Sequence, residues 1–308
     1  MKKYLTLFLI ALLTLTLAAC GSGETVSTLS ESSTEPVSNA VSEPTQSSTP
    51  SVTNAPTQNT EDIAISEHVI LEQDGIKVTL KALESSFMGP ELKVLIENES
   101  DEGITIQARN ASINDVMLQT MFSADVEPGK KANSSISFLS AELERAGIEI
   151  IKDVELALHI FNTDSWETVF DSETITFSTT ADPSFVQAYN DVGEVLYEEN
   201  GLRVVLQGVE SESSLMGTDV LVYVENLSSS DLTVQTRNVS VNGFMIEPVF
   251  SCEVVSGKRA YSAITLLQAF LDENNITNID EMEFALHIFD THTMATVAET
   301  DAMSVTFD

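Results

Sequence analysis

The chain has 308 residues, 43% of them apolar, with 48 Asp and Glu against 14 Lys and Arg, for a formal charge of −34 at neutral pH. An acidic excess of this size excludes nucleic acid as a partner and disfavours adsorption to anionic lipid or wall polymer except through cations. The two cysteines, Cys20 and Cys252, are too few for a disulfide-stapled fold.

Residues 1–20 read as a targeting segment. Lys2 and Lys3 form a basic start, Tyr4 to Leu17 an apolar run too short for a spanning helix, and Leu17-Ala18-Ala19-Cys20 a small-residue cleavage site. That quartet resembles the lipobox of bacterial lipoproteins. The resemblance implies that Cys20 is acylated and that the mature chain stays on the extracytoplasmic face of the cell membrane, its acyl chains in the lipid bilayer. Loss of Lys2 and Lys3 with the leader takes the formal charge from −34 to −36.

Residues 21–62 change composition sharply: 22 of the 40 residues from Gly21 to Thr60 are Ser, Thr or Pro. Such a stretch cannot bury enough apolar surface to offset its ordering entropy, so a disordered tether is expected, spanning roughly 35 Å as a flexible coil.

The remainder is a duplication. Ile104 to Leu118 returns as Leu232 to Ile246 with seven of fifteen positions identical, and the correspondence runs on with offsets of 126 (Gly75/Gly201), 128 (Met88/Met216 to Phe161/Phe289) and 130 (Thr176/Thr306). A period this long marks two whole domains, because solenoid repeats run at about 20 to 50 residues. The expected boundaries are 63–180 and 192–308, joined by a linker at 181–191 whose Phe185 and Tyr189 should pack on one domain.

Within each copy the pattern is of strands. Ile76 to Leu83 and Leu92 to Glu97 alternate apolar with polar, and the duplicated stretch reads as a hairpin turning at Asn114-Asp115 and Asn242-Gly243. Pro128-Gly129 and Gly257-Lys258 mark further turns, and one short helix is expected at Ser140 to Arg145 and again at Leu267 to Asn274. Short strands with turn signals and a single minor helix predict an all-β fold of two tandem β-sandwiches. With the lipobox and the Ser/Thr/Pro tether, the Gly-Lys turn followed by an apolar strand resembles the immunoglobulin-like extracytoplasmic domains of Gram-positive surface lipoproteins, which implies immunoglobulin-like sandwiches outside the membrane and carries over no functional residue.

Candidate chemistry is sparse. His159 and His287 repeat without a second histidine at strand spacing and are read as structural; Asp272 to Glu283 lacks the oxygen ligand and glycine that a calcium loop needs at Ile276 and Thr277. No metal site, cofactor or catalytic residue is nominated. Cys252 aligns with Ala124 and reads as a small buried residue. Arg109 and Arg237 repeat beside Gln107 and Gln235 and have two readings, a domain-internal pairing with a carboxylate or the binding of a carboxylate-bearing ligand. The function expected is a membrane-anchored, non-enzymatic binding or interaction module facing an envelope or extracellular protein partner, the alternatives being a wall-associated accessory or hydrolytic enzyme and a structural spacer.

Overall fold

The computed structural model describes residues 63–210 and 216–307; the expected leader, Cys20 and the tether lie outside the described residues. In the first repeat the strands are β1 (His68–Gln73), β2 (Ile76–Ser85), β3 (Pro90–Asn98), β4 (Ile104–Ile113), β5 (Val116–Met117), β6 (Thr120–Met121), β7 (Ser123–Val126), β8 (Lys130–Phe138), β9 (Asp153–Asn162), β10 (Thr168–Asp171) and β11 (Ile175–Ser178), with α1 (Ser140–Arg145) between β8 and β9. The second contains β12 (Glu194–Glu199), β13 (Leu202–Glu210), β14 (Gly217–Asn226), β15 (Leu232–Val241), β16 (Phe244–Met245), β17 (Cys252–Val254), β18 (Lys258–Leu267), β19 (Glu281–Asp290), β20 (Thr296–Glu299) and β21 (Met303–Thr306), with α2 (Gln268–Glu273) after β18.

The pairing order β2-β3-β8-β6, with β1 added outside β2, and the order β4-β9 with β10 and β11 on the far side of β9, reproduce the A-B-E-D and C-F-G sheets of an immunoglobulin sandwich. The second repeat has β13-β14-β18 opposite β15-β19-β20/β21. The protein is thus all-β, with two tandem immunoglobulin-like sandwiches that each carry one short helix.

Alternation along the strands fills the sandwiches. In β9, Val154, Leu156, Leu158 and Ile160 are buried at every second position, and in β3 Leu92, Val94 and Ile96 meet them across one core that gathers residues from Ile65 to Phe177. A separate core runs from Leu202 to Val305. Each such side chain contributes about 1.5–3 kcal/mol on burial. Cys252 and Ala124 are both buried, and burial pushes the Cys252 thiol up to about 12.

The hairpin turns are as the sequence requires: Asn114, Asp115, Asn242 and Gly243 all have positive φ. Gly89 and Gly217, at the starts of β3 and β14, have φ of 142° and 157°, and a Cβ there would lie 2.1 and 2.0 Å from the carbonyl oxygens of Phe138 and Leu266. Only glycine lets these strands enter so close to their neighbours.

A corner not evident from the sequence also recurs. Asn98 is 1% exposed and donates through Nδ2 to the carbonyls of Glu102 and Val126, while its Oδ1 accepts from Ser100 N and Oγ. Asn226, fully buried, does the same with Ser230, Val254 and Ser228. Each amide clips the strand B end to the turn before strand C.

The repeats are joined by pairing as well as by sequence. β5 of the first lies parallel to β18 of the second, with Val116 opposite Arg259 and Met117 opposite Ala260, so ten strands form one continuous sheet. Lys258 Nζ reaches Asp115 Oδ1 at 2.8 Å and Glu155 Oε1 at 2.6 Å. Arg145, at the end of α1, lies 3.7 Å from Asp219. The linker differs from expectation in touching both sides: Tyr189 donates its hydroxyl to Asn114 O in one repeat and stacks under Arg259 of the other, while Asn190 N donates to Tyr261 Oη. Tyr189 is thus shared by the two repeats because a neighbour is available on each flank.

Candidate interaction face

The outer surface of the C-F-G sheet carries the Arg109 and Gln107 singled out from the sequence and adds residues that only strand pairing can assemble. Arg109 stands opposite Ala157, Gln107 opposite His159, and Thr105 opposite Phe161; Asp171 of β10 flanks His159, and Ser123 and Asp125 of β7 flank Gln107 and Thr105. In the second repeat Arg237, Gln235 and Thr233 stand opposite Ala285, His287 and Phe289, with Glu299 beside His287 and Glu253 beside Thr233.

Arg, Gln, Thr, Ala, His and Phe are therefore the same in both copies, as are Ser123/Ser251 and Thr163/Thr291, and the two remaining pairs, Asp125/Glu253 and Asp171/Glu299, exchange one acid for the other. On the outer A-B-E-D face, Lys93, Leu95, Asn133 and Ser135 correspond to Leu221, Tyr223, Tyr261 and Ala263, and Tyr261 of this set accepts from Asn190 at the joint. Thr105, Phe161, Thr233, Ala285, His287 and Phe289 are buried, whereas Arg109, Arg237, Ser123 and Ser251 are exposed, so the repeated identity extends from buried positions of this sheet to its solvent-facing arginines.

Both arginines precede a bulge. The register of β4 on β9 shifts between Arg109 and Ser112, and that of β15 on β19 between Arg237 and Ser240, with Asn110 and Asn238 in the left-handed conformation (φ 49° and 53°). Such a bulge redirects the neighbouring side chain. Arg109 donates through Nη2 to Gln107 Oε1 at 2.9 Å, and among the described residues Arg109 and Lys130 alone of the lysines and arginines form no ion pair. Arg237 makes a loose 3.7 Å pair with Glu299. Arg237 is thus paired with a carboxylate of its own domain, and Arg109 with the neutral Gln107.

One carboxylate position decides the difference. In the first copy Asp171 Oδ1 sits 2.5 Å from His159 Nδ1 and leaves Arg109 to the neutral Gln107. In the second, Glu299 is longer by one methylene and leans to Arg237, and the Nδ1 of His287, 8% exposed, has no hydrogen-bond partner among the described residues. A polar atom buried without a partner costs about 1–3 kcal/mol.

A second feature lies at the pole of the first sandwich. The Ser86–Gly89 turn holds Phe87 fully in solvent and borders a cleft of about 340 Å³ lined by Ile63, Leu83, Glu84, Leu143, Glu149 and Ile151. In the second repeat residues 211–215, which include the position equivalent to Phe87, lie outside the described residues.

No protein-family model matches the chain, and no curated protein does. Among solved structures it is similar to the Salmonella enterica SafA pilin in complex with the SafB chaperone (9% identity, covering 70% of this chain and 89% of that one, TM-score 0.21). It is also similar to the CsuC–CsuE chaperone–tip adhesion subunit complex of Acinetobacter baumannii (12%, 71% and 92%, 0.20) and to a Porphyromonas gingivalis protein of unknown function (10%, 76% and 100%, 0.21).

Proposed function

We propose that the chain is a non-enzymatic interaction module, held at the outer face of the cell membrane through acylated Cys20, that binds a carboxylate-bearing component of the cell envelope through two copies of one face. The observation that carries this reading is the duplicated outer face of the C-F-G sheet, in which an exposed arginine is redirected by a bulge beside a glutamine and a histidine. A guanidinium offers a planar fork that matches a carboxylate, and the adjoining amide and hydroxyls orient whatever the carboxylate is attached to. The excess of negative charge on the protein is screened beyond about 8 Å at physiological ionic strength, so the local donors govern contact.

Two related faces on one chain also act together on a repetitive partner. Once one face is engaged, the second binds at the effective concentration set by the joint between the repeats.

The test is sedimentation of the full chain with isolated bacterial envelopes. The variant carrying Arg109→Gln and Arg237→Gln should lose retention by about tenfold or more, since a charge-assisted hydrogen bond is worth about 1.5–3 kcal/mol. Equal retention of the two proteins would refute the reading.

A further inference from the structure

Trp166 is the single tryptophan of the chain. It sits in the β9–β10 turn with φ of 63°, a conformation costly for a bulky residue, and its ring lies stacked on Phe161 at 5.5 Å and 17°, yet it remains 75% exposed. The turn holds it there: Asn162 Oδ1 accepts from the backbone of Asp164 and Ser165, Trp166 N donates to Asn162 O, and Asn162 Nδ2 is anchored on Glu102. The underside of the indole covers Phe161, and the opposite side is open to solvent.

Beside this plane lie hydrogen-bonding groups of both kinds. Thr105 and Thr163 share a hydroxyl–hydroxyl contact of 3.0 Å, and Asp125 accepts from Thr105. Phe161 belongs to the same outer face as Arg109, four residues along β9 from the residue opposite that arginine, or roughly 13 Å at 3.3 Å per residue. An open aromatic plane next to hydroxyls and a carboxylate suits a pyranose ring: its axial C–H groups lie on the indole and its hydroxyls meet the polar rim. A flat apolar peptide group would leave that polar rim unused.

We propose that Trp166, with Phe161 beneath it, is a sugar-stacking subsite of the first repeat, so that the ligand of this face is a saccharide carrying a carboxylate that reaches Arg109. The inference rests on the function proposed above and specifies its ligand class. In the second repeat Met294 occupies the equivalent turn, also with positive φ (59°), and supplies no plane, so the two faces share the carboxylate contact and differ in the sugar contact.

Because the chain has one tryptophan, its emission reports directly on this position. Titration of the full chain with a disaccharide of N-acetylated amino sugars bearing one carboxylate should change that emission saturably. Trp166→Ala and Trp166→Met, measured by calorimetry, should weaken binding to the first face between about threefold and tenfold. Chitobiose, which lacks the carboxylate, should still perturb the emission and bind independently of Arg109. The proposal is overturned if the emission stays constant while calorimetry shows the acidic sugar bound, if Trp166→Ala binds unchanged, or if neither sugar binds at millimolar concentration. A small carboxylate without a sugar that binds with full affinity would also overturn it. These failures leave intact the arginine-dependent retention on envelopes, which fails only if the double arginine variant is retained like the parent chain.

Discussion

The guanidinium carbon of Arg259 lies 4.0 Å from the centre of the Tyr189 ring. That contact crosses from the second repeat to the linker, and the same arginine holds Glu225 at 2.7 Å and donates its backbone N–H to Asp115 O. In the first repeat the equivalent pair is Lys131 with Glu97. Arg259→Ala removes the stacking and leaves Glu225 without its partner. The expected cost is about 1–3 kcal/mol, with the calorimetric melting of the full chain broadening as the repeats begin to unfold separately. An unchanged single transition would mean that the joint does not couple them.

Asn226 should be among the most sensitive polar positions. Asn226→Leu fits the volume, leaves the Val254 carbonyl without this donor inside the sandwich and removes the amide contacts to Ser230 O and Ser228 N at its edge, at about 1–3 kcal/mol. The urea midpoint should fall without a change in slope, and Asn98→Leu should do the same for the first repeat.

Glu142 on α1 offers a pH test. Burial raises its pKa, against the lowering effect of the Gln119 N–H that its carboxylate accepts at 2.8 Å. A group whose folded pKa lies above its unfolded value favours folding below the unfolded pKa, and that contribution is lost as pH rises through the folded pKa. Glu142→Gln keeps an acceptor for Gln119 and carries no charge. It should raise the melting temperature at pH 7, with the gain shrinking to nothing as the pH falls below the ordinary carboxylate range. A gain independent of pH would rule out the ionised carboxylate as its source.

Met294 pays backbone strain without evident return. Asparagine tolerates the left-handed conformation, so Met294→Asn should stabilise the second repeat by up to about 1 kcal/mol, read as a rise in its melting temperature.

The parts of this molecule legible in the sequence are those governed by neighbours along the chain. Alternation revealed the strands, Asn242-Gly243 the hairpin, and Ser140 to Arg145 the helix, because turn chemistry and side-chain period act over a few residues. Arg109 and Arg237 were visible as repeated cations in an acidic chain. Their surroundings were not: His159 meets Gln107 through pairing of strands more than fifty residues apart, and Asp171 joins them from a third strand. Trp166 carried no local signal, since its meaning lies in the ring beneath it and the turn that holds it out. The joint was hidden for the same reason. Val116 and Arg259 are distant in sequence, and the residues that fit there, Asp115, Arg145, Tyr223 and Tyr261, differ from their repeat partners Gly243, Glu273, Leu95 and Asn133.

The central claim, that one face is present twice and binds by its arginine, is tested most directly by the stoichiometry of calorimetric titration of the full chain with the carboxylate-bearing disaccharide. The account predicts two sites of unequal affinity per chain, Arg237→Gln removing the weaker and Arg109→Gln reducing the tighter to the carboxylate-independent affinity shown by chitobiose, which is all that the double variant retains. A stoichiometry unaltered by either substitution would contradict it.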